Sequence, residues 1–221
     1  INPQNGKILS LVSLPSFNNN EIKSADLVNP AKPFFNRAVS GEYAPGSTIK
    51  PLVAFAALKE NLVSPEKEVF SAGYVEIPNP YDPEKPSRFL DWKANGWVNL
   101  YSAIARSCNI YFYAVGGGLD DISGLGIKRL KEYWEKFGLG EKTGIDLPGE
   151  KTGFLPDEKT KEESMGDIWR IGDTYNVSIG QGDLLVTPVQ LANYLAAIAN
   201  GGKLYRPFIV DEITDGNGNA T

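Results

Sequence analysis

Apolar residues along this chain come in short runs separated by glycine, proline and asparagine, and the spacing within each run predicts its element. The first run, residues 7–14 (KILSLVSL), lies between Asn5-Gly6 and Pro15, and its short length predicts a strand. Residues 15–36, rich in Asn, Pro and Ser, read as a surface excursion. A helical pattern then runs over residues 47–61 through Leu52, Val53, Phe55, Ala56 and Leu58. Gly46 opens it, and Pro51 falls in its first turn, where a missing N–H costs nothing. Residues 69–77 and 88–92 predict two strands.

Residues 100–106 (LYSAIAR) and 109–115 (NIYFYAV) predict two short helices interrupted near Ser107. A stronger helical repeat follows, with Asp120 or Asp121 as its cap, Ile127, Leu130, Trp134 and Phe137 on one face, and Gly138 as its stop. Residues 138–156 hold too much glycine and proline for a regular element. Thr187-Pro188-Val189-Gln190 then predicts a helix start, with Thr187 as cap, Pro188 at the first position and Gln190 closing a capping box. That helix runs to Asn200 before Gly201-Gly202. Residues 203–213 predict a last strand, and residues 215–221 a polar tail. The pattern is α and β within one domain, with helix outweighing strand.

Composition narrows the chemistry. Twenty-two basic against 27 acidic residues give a net charge of −5, which argues against a nucleic-acid partner. The single cysteine, Cys108, excludes a disulfide within the chain and any multi-cysteine metal site. The absence of histidine removes Ser-His-Asp and Cys-His mechanisms, histidine-ligated zinc and imidazole as a base. An enzyme built from these residues takes its base from lysine, a carboxylate, tyrosine or a cofactor. No apolar run is long enough to cross a bilayer, and no signal-peptide pattern opens the chain. The start at Ile1-Asn2-Pro3 and the lone Met165 read as an excerpt of a longer protein.

Two short motifs are candidates. In Pro45-Gly46-Ser47-Thr48-Ile49-Lys50-Pro51, Ser47 sits at a predicted helix N-terminus, where the helix dipole favours a developing alkoxide. Lys50 lies one turn along the same face, within reach of a proton exchange. Burial lets a lysine lose its proton near neutral pH, so the pair is a workable nucleophile and base. The other reading is a capping serine beside a solvated lysine, and about one Ser-x-x-Lys is expected in such a chain by chance. A second, Ser64-Pro65-Glu66-Lys67, reads as a loop. In Ser107-Cys108-Asn109, a break between helices lets Ser107 and Asn109 point one way and Cys108 into the core. Ser107 could relay a proton and Asn109 hold a carbonyl or position the lysine, or Asn109 could merely cap the next helix. Ser16-Phe17-Asn18 has the same spacing.

Taken together the motifs resemble the penicillin-binding proteins, whose Ser-x-x-Lys and Ser-x-Asn signatures they match in order, sixty residues apart. Asn36-Arg37-Ala38, Phe89-Leu90-Asp91-Trp92-Lys93, Phe137-Gly138-Leu139-Gly140, the stretch Thr143-Gly144-Ile145-Asp146-Leu147-Pro148-Gly149-Glu150, and Ser178-Ile179-Gly180-Gln181-Gly182 with Thr187-Pro188 resemble the monofunctional (class B) transpeptidases, in particular the cell-elongation branch. The family's third motif, Lys-Thr-Gly on a strand facing the serine, belongs after the Thr187 helix and is not present there. Lys142-Thr143-Gly144 and Lys151-Thr152-Gly153 come before that helix, in loop-like composition, and read as decoys.

The resemblance implies the serine β-lactamase and penicillin-binding transpeptidase fold over residues 1–221, an antiparallel sheet flanked by helices with a mostly helical subdomain, lacking its C-terminal strands, membrane anchor and N-terminal pedestal. It implies a D,D-transpeptidase facing the periplasm from the bacterial inner membrane. Ser47 would attack the D-Ala-D-Ala bond of a peptidoglycan stem peptide and be acylated by β-lactams. Lys50 would take the proton, Ser107 would pass it to the leaving D-alanine, and Asn109 would orient substrate and lysine. Ser107 and Asn109 are thus also the substrate-binding residues. No cofactor and no metal is implied. Expected partners are stem peptides, β-lactams, cell-elongation proteins, and a companion fragment or second copy that covers the edge of the incomplete sheet. The competing readings are a β-lactamase-type hydrolase and a non-catalytic penicillin-sensing or scaffold module, and an excerpt lacking the third motif could be inactive.

Overall fold

The computed structural model describes residues 1–79, 82 and 84–215; residues 216–221 of the expected polar tail lie outside the described residues. Two one-turn helices come first, α1 (Ser24–Leu27) and α2 (Arg37–Ser40). A 3-10 turn (Gly46–Ile49) then runs directly into α3 (Lys50–Lys59). Short strands follow, β1 (Val69–Ser71), β2 (Tyr74–Ile77), β3 (Ser87–Leu90) and β4 (Gly96–Val98). The remainder is helical: α4 (Leu100–Ala105), α5 (Asn109–Gly117), α6 (Gly126–Lys136), α7 (Glu158–Met165), α8 (Ile171–Ser178) and α9 (Pro188–Ala199). Among the described residues helix outweighs strand, as the pattern predicts.

The chain forms two compact units. One comprises Ala44–Trp134 and Leu155–Leu184. Its centre is α5, whose residues from Ile110 to Gly116 are all buried, as expected of a helix that is apolar all round. α5 lies so close to α8 that a Cβ on Gly116 would fall 1.8 Å from Ser178 Oγ, and one on Gly117 would fall 2.6 Å from the Tyr175 ring. Any larger residue there would force the two helices apart. α3 lays Leu52, Val53, Ala56 and Ala57 into the same core.

The strands of this unit pair antiparallel in two ladders. β1 meets β4, with Val69 opposite Val98 and Ser71 opposite Gly96, and β2 meets β3, with Val75 opposite Phe89. The single strand expected over residues 69–77 is therefore two strands in different ladders. Gly73 divides them at φ 95°, where a Cβ would press to 3.1 Å from the Ala94 amide nitrogen. The strand expected over 88–92 ends at Leu90, and Asp91 and Trp92 lie beyond it.

The other unit comprises Ile1–Tyr43, Glu135–Phe154 and the described residues from Leu185 onward. Val39, Ile145 and Val189 form its apolar centre, with Ile1, Ile8, Leu11 and Leu147 packed around them. The capping box of α9 is present: Thr187 Oγ1 accepts from Gln190 N, and Gln190 Oε1 accepts from Thr187 N. Gln190 also donates from Nε2 to Glu141 O and Thr152 O, so the helix start staples the glycine-rich loop. Within that loop Glu150 is buried and accepts from Thr143 N at 2.7 Å and Gly144 N at 3.0 Å. Lys142-Thr143-Gly144 and Lys151-Thr152-Gly153 both lie in loop, and no strand passes through either.

Three expectations are corrected. Residues 7–14 form only an isolated parallel bridge from Lys7 to Phe208, and Leu9 is 69% exposed, Val12 69% and Leu14 67%. Alternating apolar residues make a strand only where a neighbour supplies the ladder. Residues 203–213 contribute only Phe208 to that same bridge and no regular strand; their amides at Ile209 and Val210 are taken by the Asp146 carboxylate. Finally, neither Asp120 nor Asp121 caps α6. Leu119 bridges Ile122, Leu125 N–H donates to Val115 O, and the helix starts at Gly126. Unforeseen are β4, α7 and α8. α7 (EKTKEESM) has no apolar stripe, and its start is set by Asp157, whose Oδ1 accepts from Thr160 N at 2.7 Å.

Candidate active site

Ser47 is the second residue of the 3-10 turn that leads into α3. Backbone ties that turn to the loop past α8, where Gly46 N–H donates to Gly180 O at 2.8 Å, and Thr48 Oγ1 donates to Pro45 O at 2.6 Å within it. Gly180 has φ 74°, and a Cβ there would fall 2.1 Å from Gly46 O. Both Gly46 and Gly180 thus allow the contact that presents Ser47 at an exposed position.

Lys50, the first residue of α3, is 2% exposed. Its Nζ lies 2.7 Å from Asn109 Oδ1, 2.8 Å from Ser107 O and 3.0 Å from Ser107 Oγ. The Phe112 ring centroid is 5.4 Å away. Burial pulls the ammonium down to about 8, against an upward pull from the Asp91 carboxylate. Ser107 Oγ in turn lies 2.8 Å from Ser47 Oγ. The spacing of Ser47 and Lys50 suggested a direct exchange, whereas the hydrogen-bonded path between them passes through Ser107.

Ser107 occupies the break between α4 and α5 with φ 52°, left-handed backbone that a non-glycine residue rarely adopts. Such a residue costs ~1–3 kcal/mol and persists where its surroundings hold it. Cys108 beside it is fully buried, and burial pushes its thiol above the ordinary value, so it stays protonated. Asn109 opens α5 and donates from Nδ2 to Leu90 O at 3.2 Å, which leaves Oδ1 facing Lys50.

Asp91 is the group that sequence reasoning passed over as one letter of a longer match. Its Oδ2 accepts from Asn109 N at 3.0 Å, Ile110 N at 3.4 Å, Cys108 Sγ at 3.1 Å, and Ser71 Oγ and Asn95 Nδ2 at 3.2 Å. Burial raises its carboxyl, but the bonds from Cys108 and the Asn109, Trp92 and Ile110 amides outweigh this and hold it below the ordinary range. No local pattern in the sequence singles it out, since it falls inside the strand expected over residues 88–92.

A hydroxyl linked through a second hydroxyl to a desolvated lysine is an arrangement able to carry out serine acyl transfer without histidine. The chain belongs to the penicillin-binding protein transpeptidase family, whose domain model matches residues 1–221. It is 39% identical over 220 residues to the peptidoglycan D,D-transpeptidase MrdA of Acinetobacter baumannii, covering 95% of this chain and 31% of that protein. The chain thus spans about a third of the length of the curated relatives it matches. Among solved structures, the penicillin-binding protein PBP2 of Pseudomonas aeruginosa, in complex with WCK 5153, superposes with a TM-score of 0.85 at 36% identity, covering 100% of this chain and 50% of that one. PBP2 of Helicobacter pylori, solved in complex with MreC, gives 0.84 at 31% identity, covering 99% of this chain and 39% of that one. Among the described residues no helix is long and apolar enough to cross a membrane, and no cluster of acidic or sulfur ligands could hold a metal ion.

Proposed function

We propose that this chain is the serine-bearing part of a peptidoglycan D,D-transpeptidase, with Ser47 as nucleophile, Lys50 as base, Ser107 as proton relay and Asn109 as the residue that orients substrate and lysine. The observation that carries the reading is the set of partners around Lys50 Nζ. A neutral amine has two N–H groups and one lone pair. Ser107 O and Asn109 Oδ1 can only accept, so they take the two N–H groups. The lone pair is left for Ser107 Oγ, the one partner able to donate. Ser107 can then accept from Ser47.

From that arrangement Ser47 Oγ attacks the carbonyl carbon of the D-Ala-D-Ala amide. Its proton moves to Ser107 Oγ as the Ser107 proton moves to Lys50. The C–N bond then breaks, and the leaving D-alanine takes the proton back along the same path, leaving an ester on Ser47. The amine of a second stem peptide attacks that ester, the C–O bond breaks, and Ser47 recovers a proton. A β-lactam follows the first half, except that its ring C–N bond opens and the amine stays attached, so the ester persists. At neutral pH a lysine with a value of about 8 is neutral in roughly a tenth of molecules, enough for a base.

The same reading covers residues 1–221 as a transpeptidase domain and places it on the extracytoplasmic side of the bacterial inner membrane, working with cell-elongation proteins. Its likeness to MrdA and to a PBP2 solved with MreC supports this. The exposed apolar residues Leu9, Val12 and Leu14 are where a companion segment or second copy would pair. The test is intact mass after incubation with a penicillin, with peptide mapping. A stable adduct on Ser47, absent from Ser47→Ala, is expected. An unlabelled protein, or an adduct elsewhere, would overturn the assignment.

A further inference from the structure

Three consecutive residues, the last of β3 and the two that follow it, bracket the strained Ser107. Leu90 O accepts from Asn109 Nδ2 and from Tyr113 OH at 3.1 Å. Asp91 takes the thiol and amides of residues 108–110. Trp92 Nε1 donates to Arg106 O at 3.1 Å. α5 has no cap from its own N-cap residue, Cys108, so its first amides are satisfied by a carboxylate from elsewhere in the chain. A charged acceptor at a helix start is stronger than a neutral one and is favoured by the helix dipole. The same oxygen, Oδ2, also accepts from Ser71 Oγ and Asn95 Nδ2, and Oδ1 accepts from Trp92 N, so the carboxylate is anchored by groups outside α5 as well.

We propose that Asp91 is a positioning residue for the acyl-transfer site: it caps α5 from outside, fixes the Ser107-Cys108-Asn109 segment, and acts through that segment and through its charge on Lys50. This rests on the functional reading of Ser47 and Lys50 given above and adds a residue that touches neither substrate nor reacting atoms. The titratable groups acting on Lys50 are Asp91, from the end of β3, and Cys108, ahead of α5. Its remaining neighbours, Ser107, Asn109 and the Phe112 ring, are uncharged. Asp91 holds the lysine value up, so removing its charge lets the value fall further. A residue that served folding alone would lower the rate equally at every pH.

The experiment measures penicillin acylation rate against pH in the purified full-length protein, for the parent, Asp91→Asn and Ser71→Ala. Asp91→Asn keeps the shape, removes the charge and turns a donor toward donors. The expected result is a rate lower by roughly a hundredfold, the scale of a 1 Å displacement in an active site, with the acid limb moved to lower pH. Ser71→Ala keeps the charge and loosens its anchor, and a fall of about two- to tenfold with an unmoved acid limb is expected. An Asp91→Asn protein with the parental rate, or with a lowered rate and an unmoved limb, overturns the proposal. If Asp91→Asn does not fold, Ser71→Ala decides, and a parental rate there overturns it. A parent that is not acylated on Ser47 overturns the functional reading itself and this inference with it, whereas an acylated parent indistinguishable from Asp91→Asn overturns the inference alone.

Discussion

The chain contains two Ser-x-x-Lys tetrapeptides, and their settings are opposite. Ser47-Thr48-Ile49-Lys50 spans the junction of a 3-10 turn and an α-helix, with its lysine sealed beneath α5 and three hydrogen-bond partners on its Nζ. Ser64-Pro65-Glu66-Lys67 lies in a loop, with an exposed serine and a lysine that pairs at 2.5 Å with exposed Asp121. The same contrast separates Ser107-Cys108-Asn109 from Ser16-Phe17-Asn18. In the first, both polar side chains reach Lys50. In the second, Ser16 Oγ donates to Phe17 O and Asn18 Oδ1 accepts from Asn20 N, purely local turn bonds. Spacing is identical within each pair, so it carries little. What makes a lysine a base is the loss of water around it, and that is conferred by the elements packed over it.

The largest test of this contrast removes the reacting groups. Ser47→Ala should abolish the penicillin adduct, and Lys50→Ala should slow acylation by about a hundred- to ten-thousandfold, the usual contribution of a general base. Stopped-flow acylation and mass spectrometry measure both.

Next in size is the pH dependence. Only neutral Lys50 can accept a proton, so below about 8 the acylation rate should fall with acidity, approaching tenfold per pH unit. The stability consequence has the same sign but falls in a higher pH window. The folded value of about 8 lies below the ordinary lysine value of 10.5, so between the two the unfolded chain binds more protons, and the parent gains stability as pH rises through that window. Lys50→Met should therefore melt above the parent at pH 7, with the gap narrowing between about 8 and 10.5 in calorimetry.

A smaller effect is expected from Gly180→Ala. Its methyl would collide with Gly46 O and sit on a backbone with φ 74°, costing ~1–3 kcal/mol. The displaced turn carries Ser47, so acylation should slow more than denaturant stability alone explains. The smallest effect sharpens the comparison from the other side: Ser64→Ala and Lys67→Ala should leave acylation and melting unchanged within error, because an exposed ion pair contributes little.

Much of this was legible from the chain. The Thr187-Pro188-Gln190 start, the helix break at Ser107 and the glycine-rich loop after Gly138 were all readable, because caps, breaks and glycine act over a few residues. The strand expected at residues 7–14 was not found, since a ladder requires a neighbour that no local pattern contains. α7 and α8 were missed for a related reason: the first has no apolar stripe, and the second buries Thr174 and Ser178 alongside Tyr175 and Val177, so periodicity was blurred. Asp91 stayed silent because its five Oδ2 partners come from positions as distant in sequence as Ser71 and Ile110.

Sequence by itself determined which chemistry was possible. Without histidine, a serine enzyme must take its base from lysine, a carboxylate, tyrosine or a cofactor, and the ordered motifs resembled one family over nearly the whole chain. Tertiary structure alone decided which serine and which lysine are set up for that chemistry. It buried Lys50 and left Lys67 at the surface, turned Ser107 into left-handed backbone, and brought Asp91 to the start of α5. The physical reason is that desolvation and hydrogen-bond partnership are properties of surroundings, and in the folded chain those surroundings are assembled from residues remote in sequence.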